Sequence, residues 1–84
     1  NENQLKIASS VFMYLKKLKK LTQNNFYNFK ITKIKNELIN LGVNKIDYIE
    51  LFNSKTLTRP RSNRENFKIF IAFFLNKTRL IDNI

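Results

Sequence analysis

The sequence predicts a small α+β domain, with two helices packed on a small, mainly antiparallel three-stranded sheet. Three observations carry that expectation. Phe67 to Leu75 contains a single residue that is not apolar, Lys68; a run this short, rich in Phe and Ile and stopping at Asn76-Lys77-Thr78, fits a strand buried on both faces better than a helix. Two earlier segments place apolar residues at helical spacing. The remaining strand-like segments follow one another, and helices that precede consecutive strands favour an antiparallel sheet with both helices on one face.

The first helix is expected over residues 5–21, where Ile7, Val11, Leu15 and Leu18 form a stripe widened by Phe12, Tyr14 and Leu21. Ser9 and Ser10 are candidate caps of a shorter version. Lys16, Lys17, Lys19 and Lys20 cluster near its C-terminal end, where positive charge complements the helix dipole. A basic amphipathic helix suits a membrane surface or a partner, but the stripe is needed to cover the Phe-rich strand. Residues 22–28 read as a connection. Asn28 is the expected N-cap of a second helix in which Ile31, Ile34, Leu38 and Leu41 share a face. Gly42, the only glycine, ends it in a left-handed cap.

From Val43 to Asn53 the period becomes two. Strict alternation sends Ile46, Tyr48, Glu50 and Phe52 to one face and Asp47, Ile49 and Leu51 to the other. Asp47 and Glu50 then stand on opposite faces and make a poor acid-base pair. Residues 54–65 hold the only proline and three of the four arginines, Arg59, Arg61 and Arg64. Thr56 to Arg59 reads as a short extended piece, and the polar run after Pro60 as a loop. Clustered arginines grip phosphate or carboxylate, which makes these three candidate anion contacts beside the plainer reading of a solvated basic loop. In the next strand Phe67, Ile69, Ile71, Phe73 and Leu75 share one face, and Lys68, Phe70, Ala72 and Phe74 the other. TRLIDN, residues 78–83, returns as a hairpin partner. Arg79 and Asp82, three apart on that strand, face opposite sides. Two layers cover only one face of the Phe67 to Leu75 strand, so Phe70 and Phe74 call for a further surface.

Composition narrows the chemistry. Eighty-four residues suffice for one modest core. Without Cys there is no disulfide framework, thiolate zinc site or Cys nucleophile, and without His no imidazole catalysis or ligation. One glycine cannot build a glycine-rich phosphate loop. No apolar run reaches the length of a membrane span, and Asn1-Glu2-Asn3-Gln4 is unlike a signal peptide, so the expectation is a cytoplasmic protein. The net charge of +10 alone points to nucleic acid or anionic lipid. Abundant Lys, Asn, Ile and Phe together fit codon bias on a tolerant surface, which weakens that inference.

Specific residues then suggest a family. IAFFLNKTRLIDNI at the C-terminus, Gly42-Val43 with Asp47, Tyr48 and Glu50 in LGVNKIDYIEL, and Thr56-Leu57 in SKTL occur in the order and spacing of the pantoate-beta-alanine ligase (pantothenate synthetase) family. The chain resembles that family's C-terminal domain over residues 4–84. The resemblance implies that a nucleotide-binding domain, with its His-x-Gly-His-like motif and Ser-Ser-Arg-Asn-like loop, would lie before Asn1. It further implies an enzyme that uses ATP and Mg²⁺ to join pantoate and β-alanine through a pantoyl adenylate, with this domain closing over the site as a lid. No residue here then inherits a catalytic or metal-binding role. Asp47, Tyr48, Glu50, Arg79, Asp82 and Asn83 become signature positions that shape the domain or its interface with the N-terminal domain; in the isolated chain the apolar patch of Phe70 and Phe74 is expected either to pair two copies as a homodimer or to remain sticky. The competing readings are a basic nucleic-acid-binding module using Phe26, Tyr27 and Phe29 beside Lys30, and a stand-alone interaction protein.

Overall fold

The computed structural model describes residues 1–62 and 64–84. Helix α1 spans Glu2–Asn24, a single 3₁₀ turn spans Phe26–Asn28, and helix α2 spans Ile31–Asn40. Strands β1 (Lys45–Asn53), β2 (Phe67–Leu75) and β3 (Thr78–Asn83) form one antiparallel sheet in the order β1-β2-β3. The α+β arrangement of two helices and three strands is as expected.

Helix α1 starts earlier than its apolar stripe because Asn1 and Gln4 make a reciprocal capping box. The Asn1 side chain accepts from the Gln4 N–H at 2.8 Å, and the Gln4 side chain accepts from the N-terminal amine. Ser9 and Ser10 are exposed mid-helix residues and cap nothing there. At the far end the buried Thr22 hydroxyl donates to the Leu18 carbonyl at 2.8 Å. Asn28, expected to cap α2, instead donates its side-chain amide to the Leu21 carbonyl of α1 at 2.7 Å. The chain needs the intervening 3₁₀ turn to reverse direction, so α2 begins after Lys30, whose side chain makes no cap.

The end of α2 is a Schellman motif. The Gly42 N–H donates to Ile39 at 3.0 Å and the Val43 N–H to Leu38 at 3.3 Å, while Leu38 and Val43 are both buried. Gly42 has a φ of 114°, beyond the reach of ordinary side chains. Its missing Cβ also makes room for Ile7, whose Cδ1 would lie 2.9 Å from one. This glycine therefore sets both the turn into β1 and the approach of α1.

The core lies between the helices and one face of the sheet. Val11, Leu15 and Leu18 of α1 and Ile34 and Leu38 of α2 meet Ile49, Ile69, Ile71, Phe73 and Leu75, all buried. At about 25 cal/mol per Å² of apolar surface, burial of each large side chain contributes about 1.5–3 kcal/mol. Tyr14 of α1 lies beside Glu37 of α2; burial first, and the Glu37 charge second, push its phenol up to about 12.

Two expectations for β1 need correction. A bulge at Asp47 separates the pairs Ile46↔Phe73 and Tyr48↔Ala72, so strict alternation fails there. Ile46 turns inward with Ile49 and Leu51 to pack on the core, rather than outward with Tyr48. Asp47 turns to the outer side, the side of Glu50. The expected extended piece at Thr56 to Arg59 is instead a turn closed on Asn53. Its side-chain oxygen accepts from the Lys55 and Thr56 N–H groups at 2.8 and 3.1 Å, and Leu57 takes a φ of 57°. Asn53 offers the turn more hydrogen bonds than a ladder would supply to a piece without a strand partner.

Candidate functional site on the open face of the sheet

The register fixes which side chains share the outer face. Tyr48 stands opposite Ala72, Glu50 opposite Phe70 and Phe52 opposite Lys68. On the other side of β2, Arg79 faces Phe74, Ile81 faces Ala72 and Asn83 faces Phe70. Neither helix reaches this side: α1 and α2 contribute their buried residues to the opposite layer. Five of the six signature positions, Asp47, Tyr48, Glu50, Arg79 and Asn83, thus gather on one open surface. Asp82 is the exception, paired with Ile71 on the helix-facing side, its carboxylate accepting from the Asn83 N–H at 2.8 Å.

The surface is apolar at its centre. Phe52 and Phe70 meet edge to face at 5.3 Å between ring centroids, the geometry aromatic quadrupoles prefer. The Lys45 ammonium lies 5.8 Å from the Phe74 ring centroid. Phe70 and Phe74 are half-buried, Ala72 is fully buried between its neighbours, and Ile81 remains 62% exposed. The patch is smaller than alternation alone implies, because Phe52 and Lys45 cover parts of the two rings.

Across the top of this surface Arg79 donates from Nε and Nη2 to Asp47 Oδ2, at 3.1 and 2.8 Å. The strand alternation correctly keeps Arg79 away from Asp82; the residue it finds is the one that the bulge re-aims. With both side chains over two-fifths exposed, the pair orients the guanidinium more than it stabilises the fold. No pattern in the sequence marks this contact, since it joins residues 32 apart through a bulge.

The basic loop does not bring its arginines together. Arg59 lines a pocket of about 260 Å³ with Phe26, Phe29, Ile31, Ile49, Glu50, Leu51 and Pro60. Arg64 lines a different cleft, beside Lys19 and Lys68. Arg61 gives its backbone N–H to Glu65 at 2.6 Å. Asn53 Nδ2 donates to the same carboxylate at 2.8 Å. Those bonds, that from Asn53 foremost, hold Glu65 below the usual carboxylate range. The three stacking candidates are likewise divided. Phe26 packs edge to face on Phe67 at 5.5 Å and Phe29 packs on the core, which leaves Tyr27 the exposed one. That arrangement does not favour a nucleic-acid platform. No helix among the described residues is long and apolar enough to cross a membrane.

Comparison with known proteins bears out the family resemblance over the whole chain. The family model for pantoate-beta-alanine ligase matches residues 1–84. A pantothenate synthetase of Fervidobacterium nodosum is 34% identical over 87 aligned residues, covering 100% of this chain and 30% of the relative. That of Ruthia magnifica is 34% identical with the same coverages. That of Clostridium novyi is 44% identical over 50 residues, 60% of this chain and 18% of the relative. The chain thus spans about 30% of the length of the relatives that cover it fully. No solved structure matches. With the family model running through every residue, and KTRLIDN forming the turn and third strand of its open sheet, the chain belongs to the pantoate-beta-alanine ligase family.

Proposed function

We propose that this chain is the C-terminal domain of an enzyme that condenses pantoate and β-alanine to pantothenate, and that it acts as a lid over an active site carried by the N-terminal domain. The observation that carries the reading is the placement of Asp47, Tyr48, Glu50, Arg79 and Asn83 on the one sheet face that the domain leaves uncovered. A surface with an apolar centre and a polar rim suits contact that forms and breaks. In this reading the open face turns toward the N-terminal domain, and Arg79, oriented by Asp47, projects at its edge.

Gly42 closes a helix instead of opening a phosphate loop. ATP and Mg²⁺ belong to the rest of the enzyme, where they would activate the pantoate carboxylate as an acyl adenylate with release of pyrophosphate. The amine of β-alanine then displaces AMP. Water competes with the amine for the adenylate, so a lid that excludes water raises the yield of pantothenate per ATP. The proposed location is the cytoplasm.

The test uses the full-length enzyme with and without this domain. The truncated enzyme is expected to release AMP in excess over pantothenate. A ratio that stays at one while both rates fall together would overturn the lid assignment. The 84-residue chain alone is expected to form no pantothenate, and at high concentration its uncovered face is expected to pair two copies, checked by analytical ultracentrifugation.

A further inference from the structure

Strand β1 is an edge strand, and half of its backbone groups face away from the sheet. In β2 the Ile69 N–H and C=O both bond Ile84, on the β3 side, whereas the Phe74 carbonyl accepts from the Asn44 N–H on the β1 side. Alternation along the ladder therefore turns Ile69 and Ile71 toward β3, and Phe70 and Ala72 toward β1. Ile49 and Leu51, opposite Ile71 and Ile69, accordingly point their own N–H and C=O groups off the free edge. The Asn53 N–H has the same parity, and the Thr58 carbonyl accepts it at 2.7 Å. The loop thus begins a further strand beside β1. It goes no further because Pro60, in register with Leu51 for the next bonds, has no N–H to give.

Among the described residues nothing bonds Ile49 or Leu51 from beyond the edge. Ile49 is only 3% exposed, so its free groups meet solvent through the slot of about 260 Å³ that opens there. Buried backbone groups without partners are rare in folded proteins. Phe26, Phe29 and Ile31 give the slot apolar walls, and Arg59 lines it from the loop. Arg59 forms no ion pair among the described residues, with Glu50 or any other carboxylate. We propose that the β1 edge takes an extended peptide of another protein as a fourth strand, with an apolar side chain in the slot and an acidic residue at Arg59. An extended main chain offers acceptors and donors at the two-residue spacing that Ile49 and Leu51 require, and the net charge of +10 favours an acidic segment. A second copy fits poorly. Pairing Ile49 with Leu51 about a two-fold axis would set the two Glu50 carboxylates directly opposite each other. The slot lies at the sheet's edge, so the inference goes beyond the lid reading and does not rest on it.

The probe is the peptide acetyl-Val-Thr-Phe-Thr-Val-Asp-amide, titrated into the 84-residue chain and followed by amide chemical shifts and hydrogen exchange. Saturable shifts at Ile49 and Leu51 are expected, with both amides gaining protection. In an antiparallel fourth strand the peptide residues facing Ile49 and Leu51 turn their N–H groups toward β1. N-methylation of the Val and Phe amides should therefore abolish binding, and N-methylation of the Thr amides should leave it intact. The reverse preference assigns a parallel strand and also supports the proposal; loss with both sets, or with neither, overturns it. Arg59→Glu should weaken binding about tenfold, as expected for reversing one nearby charge in a solvent-exposed setting. Lys35→Glu on α2, the same change in net charge away from the slot, should change it less than about twofold. Equal losses in the two variants would reduce the effect to net charge and overturn the site, as would no binding at all. Concentration-dependent protection of the Ile49 and Leu51 amides without peptide would give the edge to a second copy. Their protection in the full-length enzyme without peptide would give it to the enzyme's own chain, and either result overturns the proposal.

Discussion

Replacing Gly42 by alanine tests how one residue serves both the helix end and the packing of α1. At a φ of 114° a side chain is strained wherever it sits, at about 1–3 kcal/mol. The new Cβ would also lie 2.9 Å from Ile7 Cδ1 and 3.1 Å from Cγ1. Cδ1 is the far end of the side chain and moves by rotation about χ2, whereas Cγ1 is fixed by the stiff χ1 of a β-branched residue and gives only by a small shift, so relief of the clash costs about 0.5–1.5 kcal/mol. The expected loss is about 2–4 kcal/mol, a large fraction of the total of roughly 4–12 kcal/mol that a domain of this size carries. Urea unfolding followed by circular dichroism reads it as a midpoint lowered by about 2 M. In an Ile7→Ala background the clash disappears and only the backbone strain should remain, so the glycine substitution should cost less there. A Gly42→Ala variant within about 0.5 kcal/mol of the parent would refute the argument. An unchanged cost in the Ile7→Ala background would refute the part that assigns any of it to packing.

Three further outcomes are expected. Tyr14 is held neutral by burial and by the nearby Glu37 charge, with a folded pKa raised to about 12 from 10.0. Its contribution is therefore fully present below pH 10 and lost as pH rises toward 12. Tyr14→Phe should remove that part of the alkaline slope, and tyrosinate absorbance should show one phenol titrating late in the folded chain. The Asp47–Arg79 pair should show a coupling of about 0.2–1 kcal/mol in a double-mutant cycle, shrinking in high salt because both side chains are exposed. Glu65 is held low by Asn53 and the Arg61 N–H, so the order it gives the loop persists above the ordinary carboxylate pKa and is lost as pH falls through the depressed one. Glu65→Gln should abolish that transition, seen as the pH dependence of the Arg61 amide shift.

The strands most legible in the sequence are those whose burial decides them. Phe67–Leu75 is unbroken and Thr78–Asn83 follows a polar two-residue turn, so composition alone marks both ends. Helix boundaries were less legible because caps compete. Asn1 with Gln4 carries the capping-box pattern that starts α1, whereas Asn28 looks like a cap by type yet serves the preceding helix. The bulge at Asp47 was not legible at all. Period-two reading has no means of placing an extra residue, and its consequences for Ile46 and Asp47 depend on partners in β2 and β3. The resemblance singled out six residues, but only the register gathered five of them on the open face and sent Asp82 to the other side.

The order of strands has a kinetic consequence. β2 is hydrogen-bonded on both sides, and each partner is its neighbour in sequence, so the sheet can zip from the Asn76-Lys77 turn outward while little loop entropy is lost. Helix α1 is different: its Gln4 side chain donates to the Leu75 carbonyl, 71 residues away, at 3.4 Å. Native-state hydrogen exchange should accordingly be graded. The first turn of α1 should open on its own, far below the cost of global unfolding, and the amides of Ile71 and Phe73 should exchange only when the whole domain unfolds.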